Sequence, residues 1–434
     1  MKEIQVGLLG FGTVGTGVVK ILLGKKGLLR SLVGAPLKLK RIADLDLDRD
    51  RGIKIPKGLL VNRADDILND PDISIVIELI GGLEPARTLI LKALGKGKHV
   101  VTANKALLAH KGDEIFQKAF DRKLDVGFEA SVCGGIPVIL ALQQGLVAND
   151  IESIWGIFNG TSNYILTRMT EEGLPYSEAL KEAQQKGYAE ADPTLDVGGM
   201  DTVHKLTILM HLAYGSPLNT EPIFVEGITR IGALDIEFAR EFGYSIKLLA
   251  ICRKEGRLLE ARVHPTMISK GHMLASVQGA YNALYIKGDS VDDVLLYGKG
   301  AGMMPTGSAV VSDLVNIGRN INKGIAQRIP HNISKQSFKE RGLAFKPFAE
   351  VLTRYYFRFS ALDRPGVLST IAGILGANQI SVVSVIQKGR ETEGSVPIVM
   401  MTHEAKESSV HKAIREIDRL PVITDRTMII RVEN

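Results

Sequence analysis

The chain has 434 residues, 45% of them hydrophobic and 24% charged, with a formal net charge of +6 at pH 7. That length holds about two to four domains and more than one buried core, and no apolar run approaches the roughly 18 residues that a bilayer span needs. The positive charge is scattered, with no basic helix-turn-helix face, so the composition argues against nucleic acid and membrane partners and for a cytoplasmic globular protein.

The two cysteines, Cys133 and Cys252, stand far apart without metal-ligand spacing, so neither a disulfide framework nor a zinc site is expected. Residues 3–9, EIQVGLL, read as a buried strand that runs into Gly10-Phe11-Gly12-Thr13-Val14-Gly15 and then a helical pattern. In such a strand, glycine turn and helix, Gly10 permits the turn, Gly12 lets a pyrophosphate approach the backbone, and Gly15 allows close helix packing. A second strand at 37–43 ends in Asp44, placed to bond the ribose hydroxyls of NAD; Arg49 or Arg51 just beyond could instead meet the 2′-phosphate of NADP, so the cofactor choice stays open.

Strands at 73–79 and 99–103 are continuous apolar runs, each followed by a helical segment, as in a parallel sheet covered on both faces. Asn104-Lys105 follows the second of them, at the strand end where open α/β sheets bind ligands. From about residue 130 the pattern changes to SVCGGIP leading a helix, then the strand ESIWGIFNG, then GTSNYI. Asn159 to Asn163 suit either an anionic group at a helix start or a plain helix cap served by Thr161 or Ser162.

The stretch from Gly187 to Lys205, GYAEADPTLDVGGMDTVHK, gathers Tyr188, Glu190, Asp192 and Asp196 in a polar loop. It then delivers Asp201 and Lys205 onto the first turns of an apolar helix. Their spacing puts the carboxylate beside the ammonium, and Ile208, Leu209 and Leu212 continue the same face. A lysine on a stripe built for burial is suited to proton transfer, and the carboxylates to a cationic group.

Later strands resemble a largely antiparallel sheet, and GKGAGMMPTGSAVVSDLVNIG gives a glycine turn and a long helix that could return to the first domain. Residues 326–350 read as a linker. Beyond it, the order strand, helix, strand, strand, helix, strand is that of a ferredoxin-like unit.

With these strings in place, GFGTVG, ELIGG, VVTANKALLA, FEASVCGGIP, IFNGTSNYI, GYAEADPTLDVGGMDTVHKL, GYSIKLLA and YGKGAG, the chain resembles the homoserine dehydrogenase family along its whole length. DRPGVL and ANQISVVSVIQ resemble an ACT domain. The resemblance implies an α/β protein. A Rossmann-type dinucleotide-binding domain spans 1–130, completed by a returning helix at about 305–325. An α+β substrate and dimerisation domain spans 131–304, and a ferredoxin-like ACT domain spans 351–434.

The resemblance further implies NAD- or NADP-dependent interconversion of L-homoserine and L-aspartate 4-semialdehyde, in the biosynthesis of threonine, methionine and isoleucine. Lys205 is then the proton donor and acceptor, Asp201 lies beside the reacting oxygen, and Lys105 belongs to the cofactor and substrate cleft. Glu190 binds the substrate amine, joined by Gly187, Tyr188, Asp196, Asn159 and Thr161, while Gly187 and Gly302 also border the cofactor. A monovalent cation, typically sodium, is implied at Glu129 and the carbonyls of Val132, Gly134 and Ile136. Asp363, Arg364, Pro365, Gly366, Val367, Asn378 and Ile380 are candidate contacts for an amino-acid effector, threonine first. A homo-oligomer, dimer or tetramer, is expected. The rival readings are a non-catalytic NAD-binding amino-acid sensor and another ACT-bearing dehydrogenase, such as one acting on prephenate.

Overall fold

A computed structural model describes residues 3–329, 335–387 and 395–433, without the side chains of 335–337. The chain divides into two compact units: Met1–Ile154 with Asp201–Glu221 and Tyr281–Leu343, and Trp155–Met200 with Pro222–Ala280 and Ala344–Asn434.

In the first unit the apolar runs form a six-stranded parallel sheet in the order Leu60–Val61, Leu37–Ala43, Ile4–Leu9, Ile73–Glu78, His99–Thr102, Val126–Gly127. This is the order of a dinucleotide-binding fold, and the direction of strand progression reverses between Ile4–Leu9 and Ile73–Glu78. The core joins Val6, Leu8, Ile42 and Ile77 of the sheet to Val18, Val19 and Leu22 of the helix Thr13–Gly24. Val310, Leu314 and Ile317 of the helix Met303–Asn322 belong to the same core. Its approach needs glycine on both sides: a Cβ at Gly17 would stand 2.0 Å from the Met303 carbonyl oxygen, and one at Gly307 would stand 3.0 Å from the Gly17 backbone.

The second unit contains a long antiparallel hairpin, Tyr244–Glu255 with Leu258–Ser269. Next to it, Val382–Gln387, Ser395–Thr402, Leu352–Leu362 and Ile423–Glu433 form an antiparallel sheet in that order, backed by the helices Val367–Ala377 and Glu407–Ile417. The expected ferredoxin-like unit is therefore present. It is not a loose appendage: Thr266–Ile268 pair in parallel with Arg431–Glu433, and the fully buried Arg262 guanidinium reaches Glu433 at 2.5 Å. Arg431 pairs in turn with Glu407 and with Glu226, the latter at 2.8 Å.

Three local expectations change. The helix after SVCGGIP is a single turn, Val138–Leu140, followed by a π-helical turn at Ala141–Gly145. A strand that the sequence reading did not mark, Asp292–Lys299, forms a hairpin with Tyr281–Gly288. The segment 326–350, expected as a bare linker, contains a helix at Lys335–Glu340 and a strand at Ala344–Phe345 that pairs with Leu258–Leu259; its residues 330–334 lie outside the described ones. Elements this short or this mixed in composition leave no clear periodicity to read. Both cysteines are buried and neither is in a disulfide, and no described helix is long and apolar enough to cross a membrane.

Candidate functional site

The glycine turn takes the form expected for a nucleotide phosphate, and each glycine has its own reason. Gly10 has φ +93°, and a Cβ there would meet the Leu79 carbonyl oxygen at 2.6 Å. A Cβ on Gly15 would stand 2.5 Å from the Gly10 oxygen, whereas one on Gly12 meets nothing within 4 Å. That open space lies at the N-terminus of Thr13–Gly24, a helix with no side-chain cap and no acidic residue in its first turn. Its amides and partial positive charge fit a diphosphate without rearrangement. Val14 is half-buried behind them.

Asp44 accepts the Phe11 N–H at 2.6 Å and that of Asp46 at 2.9 Å. Arg51, expected as its alternative, is instead its partner at 3.2 Å. The Arg51 Nε donates to the Phe11 carbonyl at 2.7 Å, and the guanidinium lies 4.7 Å over the Phe11 ring. Arg49 is exposed and bonds locally to Asp46. Gly302, with φ +124°, caps the helix Met303–Asn322.

The carboxyl ends of two neighbouring strands are tied together and fix Lys105. Thr102 Oγ1 donates to Glu78 Oε2 at 2.7 Å, Asn104 Nδ2 to the Gly82 carbonyl at 2.7 Å, and Asn104 Oδ1 caps Lys105–Asp121 through the Leu107 N–H at 3.1 Å. The Lys105 ammonium then reaches Asp201 Oδ1 at 2.7 Å, while Lys205 reaches Oδ2 at 2.7 Å. One carboxylate thus holds two ammonium groups. The Asp201 side chain is 6% exposed and that of Lys205 9%, against 41% for Lys105. Burial disfavours the ionised Asp201, but the charges of Lys205 and Lys105 outweigh it and hold the carboxyl well below the usual range. Beside them is a pair that the sequence did not suggest, His204 Nε2 and His110 Nε2 at 3.3 Å. Burial, helped by His110, pushes His204 down to about 4.

Glu129 is buried and takes the Ile139 and Leu140 N–H groups at 2.9 Å each. Burial outweighs these bonds and pushes its carboxyl up to about 7. Among the described residues no cationic side chain pairs with it, and no group of three or more His, Cys, Asp or Glu could hold a metal. A cation here would therefore rely on this one carboxylate and on backbone oxygens, a donor set suited to a hard monovalent ion. Cys133 and Gly134, with φ +54° and +46°, turn the backbone between Val132 and Ile136, although the Ile136 carbonyl already accepts the Val138 N–H at 2.8 Å. Asp313, unnoticed in the sequence, accepts the Glu129 N–H at 2.9 Å, and burial and the Glu129 charge push its carboxyl well above the usual range.

In the second unit the helix Gly160–Glu172 starts at Asn159, whose Oδ1 accepts the Ser162 N–H at 2.8 Å. The cap is thus Asn159 and not Thr161 or Ser162, whose hydroxyls reach outward. Thr161 donates to the Tyr188 carbonyl at 2.5 Å, Ser162 to the Asp196 carbonyl at 2.9 Å, and Asn159 Nδ2 to Asp196 Oδ1 at 2.7 Å. The expected Asn159, Thr161, Tyr188 and Asp196 therefore meet. Gly187 has φ +74°, and Glu190 is exposed close to them in sequence. Asp192 is occupied by the Thr194 N–H and hydroxyl at 3.1 and 2.5 Å.

Of the candidate effector contacts, Asp363, Arg364, Pro365 and Gly366 form an exposed turn, with Gly366 in the left-handed region at φ +89°. The side chains of Val367 and Ile380 belong to the core of the ferredoxin-like unit, so they can offer an effector only their backbone. Asn378 caps its helix from the C-terminal end and donates to the Ile374 carbonyl at 2.9 Å.

The family model for the homoserine dehydrogenase NAD binding domain matches residues 10–129, that for homoserine dehydrogenase residues 137–315, and that for the ACT domain residues 355–422. A homoserine dehydrogenase of Neisseria gonorrhoeae is 42% identical over 434 residues, covering 100% of this chain and 99% of that one. The crystal structure of one from Thiobacillus denitrificans is 45% identical with a TM-score of 0.92, covering 100% of this chain and 99% of the other. A hyperthermophilic archaeal homoserine dehydrogenase in complex with NADPH, 27% identical with a TM-score of 0.62, covers 73% of this chain and 97% of its own. The matched family models, which together cover most of the chain, and full-length identity of this order place the chain in the homoserine dehydrogenase family, with an ACT domain at its C-terminal end.

Proposed function

We propose that the chain interconverts L-homoserine and L-aspartate 4-semialdehyde with NAD or NADP, in the branch leading to threonine, methionine and isoleucine. The observation that carries this reading is the Lys205 ammonium, buried and held at 2.7 Å by Asp201. The nicotinamide, when bound, supplies or accepts the hydride. As the aldehyde oxygen gains negative charge, Lys205 gives it a proton; in the oxidative direction Lys205 takes the proton from the alcohol. Asp201 keeps Lys205 and Lys105 aimed together, and the low exposure of Asp201 and Lys205 keeps water from competing for the proton.

Gly10 to Gly15 hold the diphosphate, Asp44 faces the ribose, and Gly187 and Gly302 border the cofactor. Glu190 binds the substrate amine, and Asn159, Thr161, Tyr188 and Asp196 order the loop that bears it. Sodium at Glu129 is a structural ion in this reading, supported by the uncompensated buried carboxylate. We assign 1–130 with about 305–325 to cofactor binding, 131–304 to catalysis, and 351–434 to threonine-responsive control. The enzyme works in the cytoplasm as a homo-oligomer, a dimer or tetramer.

The deciding experiment follows the absorbance of the reduced nicotinamide with homoserine and each cofactor, for the wild type and Lys205→Ala. The variant should lose on the order of 100-fold or more in turnover while cofactor affinity stays within about twofold. Near-normal turnover would remove Lys205 from the chemistry.

A further inference from the structure

Lys247 interrupts the apolar strand Tyr244–Glu255 within GYSIKLLA, and the proton-transfer reading leaves it unused. It is 5% exposed, and its Nζ donates to the Val277 carbonyl at 2.5 Å and to Asn163 Oδ1 at 3.3 Å. These acceptors are neutral, and burial pulls the ammonium down to about 8 against the charge of Glu171. A buried ammonium hydrogen-bonded to neutral acceptors, with Glu171 acting on it only through its charge, is costlier than a leucine at the same place.

Asn163 Nδ2 donates to the Val277 and Gly279 carbonyls at 3.2 and 2.9 Å. Thr167 Oγ1 accepts the Gly279 N–H at 3.0 Å, and a Cβ on Gly160 would stand 2.8 Å from the Ala280 carbonyl oxygen. One side of the first two turns of Gly160–Glu172 is thereby locked onto the backbone at 277–280. The other side of the same turn holds the substrate loop, through Asn159 to Asp196 and Thr161 to the Tyr188 carbonyl. A helical turn is stiff, so displacing its inner side displaces its outer side.

We infer that Lys247 is a positioning residue for the amino-acid substrate: it pins the helix start through Asn163 and Val277, and so sets the register of Asn159 and Thr161 against the loop 187–196. This rests on the reading that the loop binds homoserine. Lys247→Met keeps an unbranched side chain, one atom shorter, and removes the donors; Lys247→Arg restores them; Asn163→Ala cuts the same link from the other end. In the full-length enzyme, Lys247→Met and Asn163→Ala should each raise KM for homoserine about tenfold, the effect of a buried acceptor left unmade, with kcat and the cofactor KM within about threefold. Lys247→Arg should recover most of the loss.

If Lys247→Met folds and leaves KM for homoserine within twofold, or weakens both ligands equally, the inference is overturned. If that variant does not fold, Asn163→Ala decides by the same criterion. Glu190→Gln, measured alongside, separates the two ideas. Should it leave KM for homoserine unchanged while Lys247→Met raises it, the inference stands and the amine-binding assignment falls. Should Glu190→Gln raise KM and Lys247→Met not, the inference alone falls.

Discussion

Replacing Asp201 by Asn tests the bridged carboxylate most directly. The substitution keeps the shape but removes the charge between two ammonium groups, each 2.7 Å from its own oxygen. Breaking a buried pair by removing one partner costs about 3–5 kcal/mol, because the other charge stays buried. Lys205, at 9% exposure, incurs that cost, whereas Lys105, at 41%, is screened by solvent and adds little. A loss of about 3 kcal/mol should lower the thermal midpoint of the unit that holds the helix Met200–Tyr214 by roughly 6–12 °C. Turnover should fall about 100-fold or more in both directions, because the proton donor is no longer aimed. The assays are thermal unfolding by circular dichroism and initial rates with homoserine and with the semialdehyde. A variant with a midpoint within about 1 °C of the wild type and turnover within about threefold would refute the electrostatic account.

Lys105→Ala removes the more exposed of the two ammonium groups, so we expect a stability change below about 1 kcal/mol in chemical denaturation, and a smaller loss of turnover than for Lys205→Ala. Glu129 makes a pH-dependent prediction. Its folded value of about 7 lies above its unfolded value of 4.5, so stability is full below 4.5 and is lost as pH rises toward 7, by at most about 3 kcal/mol. Sodium, compared with tetramethylammonium at equal ionic strength, should raise the thermal midpoint more at pH 8 than at pH 5, and Glu129→Gln should abolish the difference; equal shifts at both pH values would remove the ion from this site. Threonine should inhibit the wild type, and Asp363→Ala should need about tenfold more of it, as read from initial rates. A chain ending at residue 343 should lose cooperative unfolding of the second unit, since it strips the partner strand from Thr266–Ile268 and leaves Arg262 without Glu433.

Much of the site was legible because its rules are local. A glycine turn between strand and helix has few backbone solutions, and residues four apart on a helix must meet, so Gly10 to Gly15 and the Asp201–Lys205 pair could be read in one dimension. What stayed hidden is polar and distant in sequence: Arg51 folding back onto Asp44, His110 against His204, Asp313 on the Glu129 amide, and Lys247 on Asn163. Lys247 did leave a signal, a charge inside an apolar strand, but nothing in the strand names its partner 84 residues away.

The sequence by itself determined the main strands and helices, the glycine turn and the lysine with its acidic neighbour, since backbone sterics and helical periodicity act within a few residues. Only the tertiary structure decided that Lys105 shares the same carboxylate, that Asn159 and not its hydroxyl neighbours caps its helix, and that the ferredoxin-like unit is joined to the hairpin strand by a buried guanidinium. Those outcomes depend on which desolvated charges and unsatisfied amides meet when distant segments pack, and that pairing is fixed by the three-dimensional competition for partners and not by any local pattern.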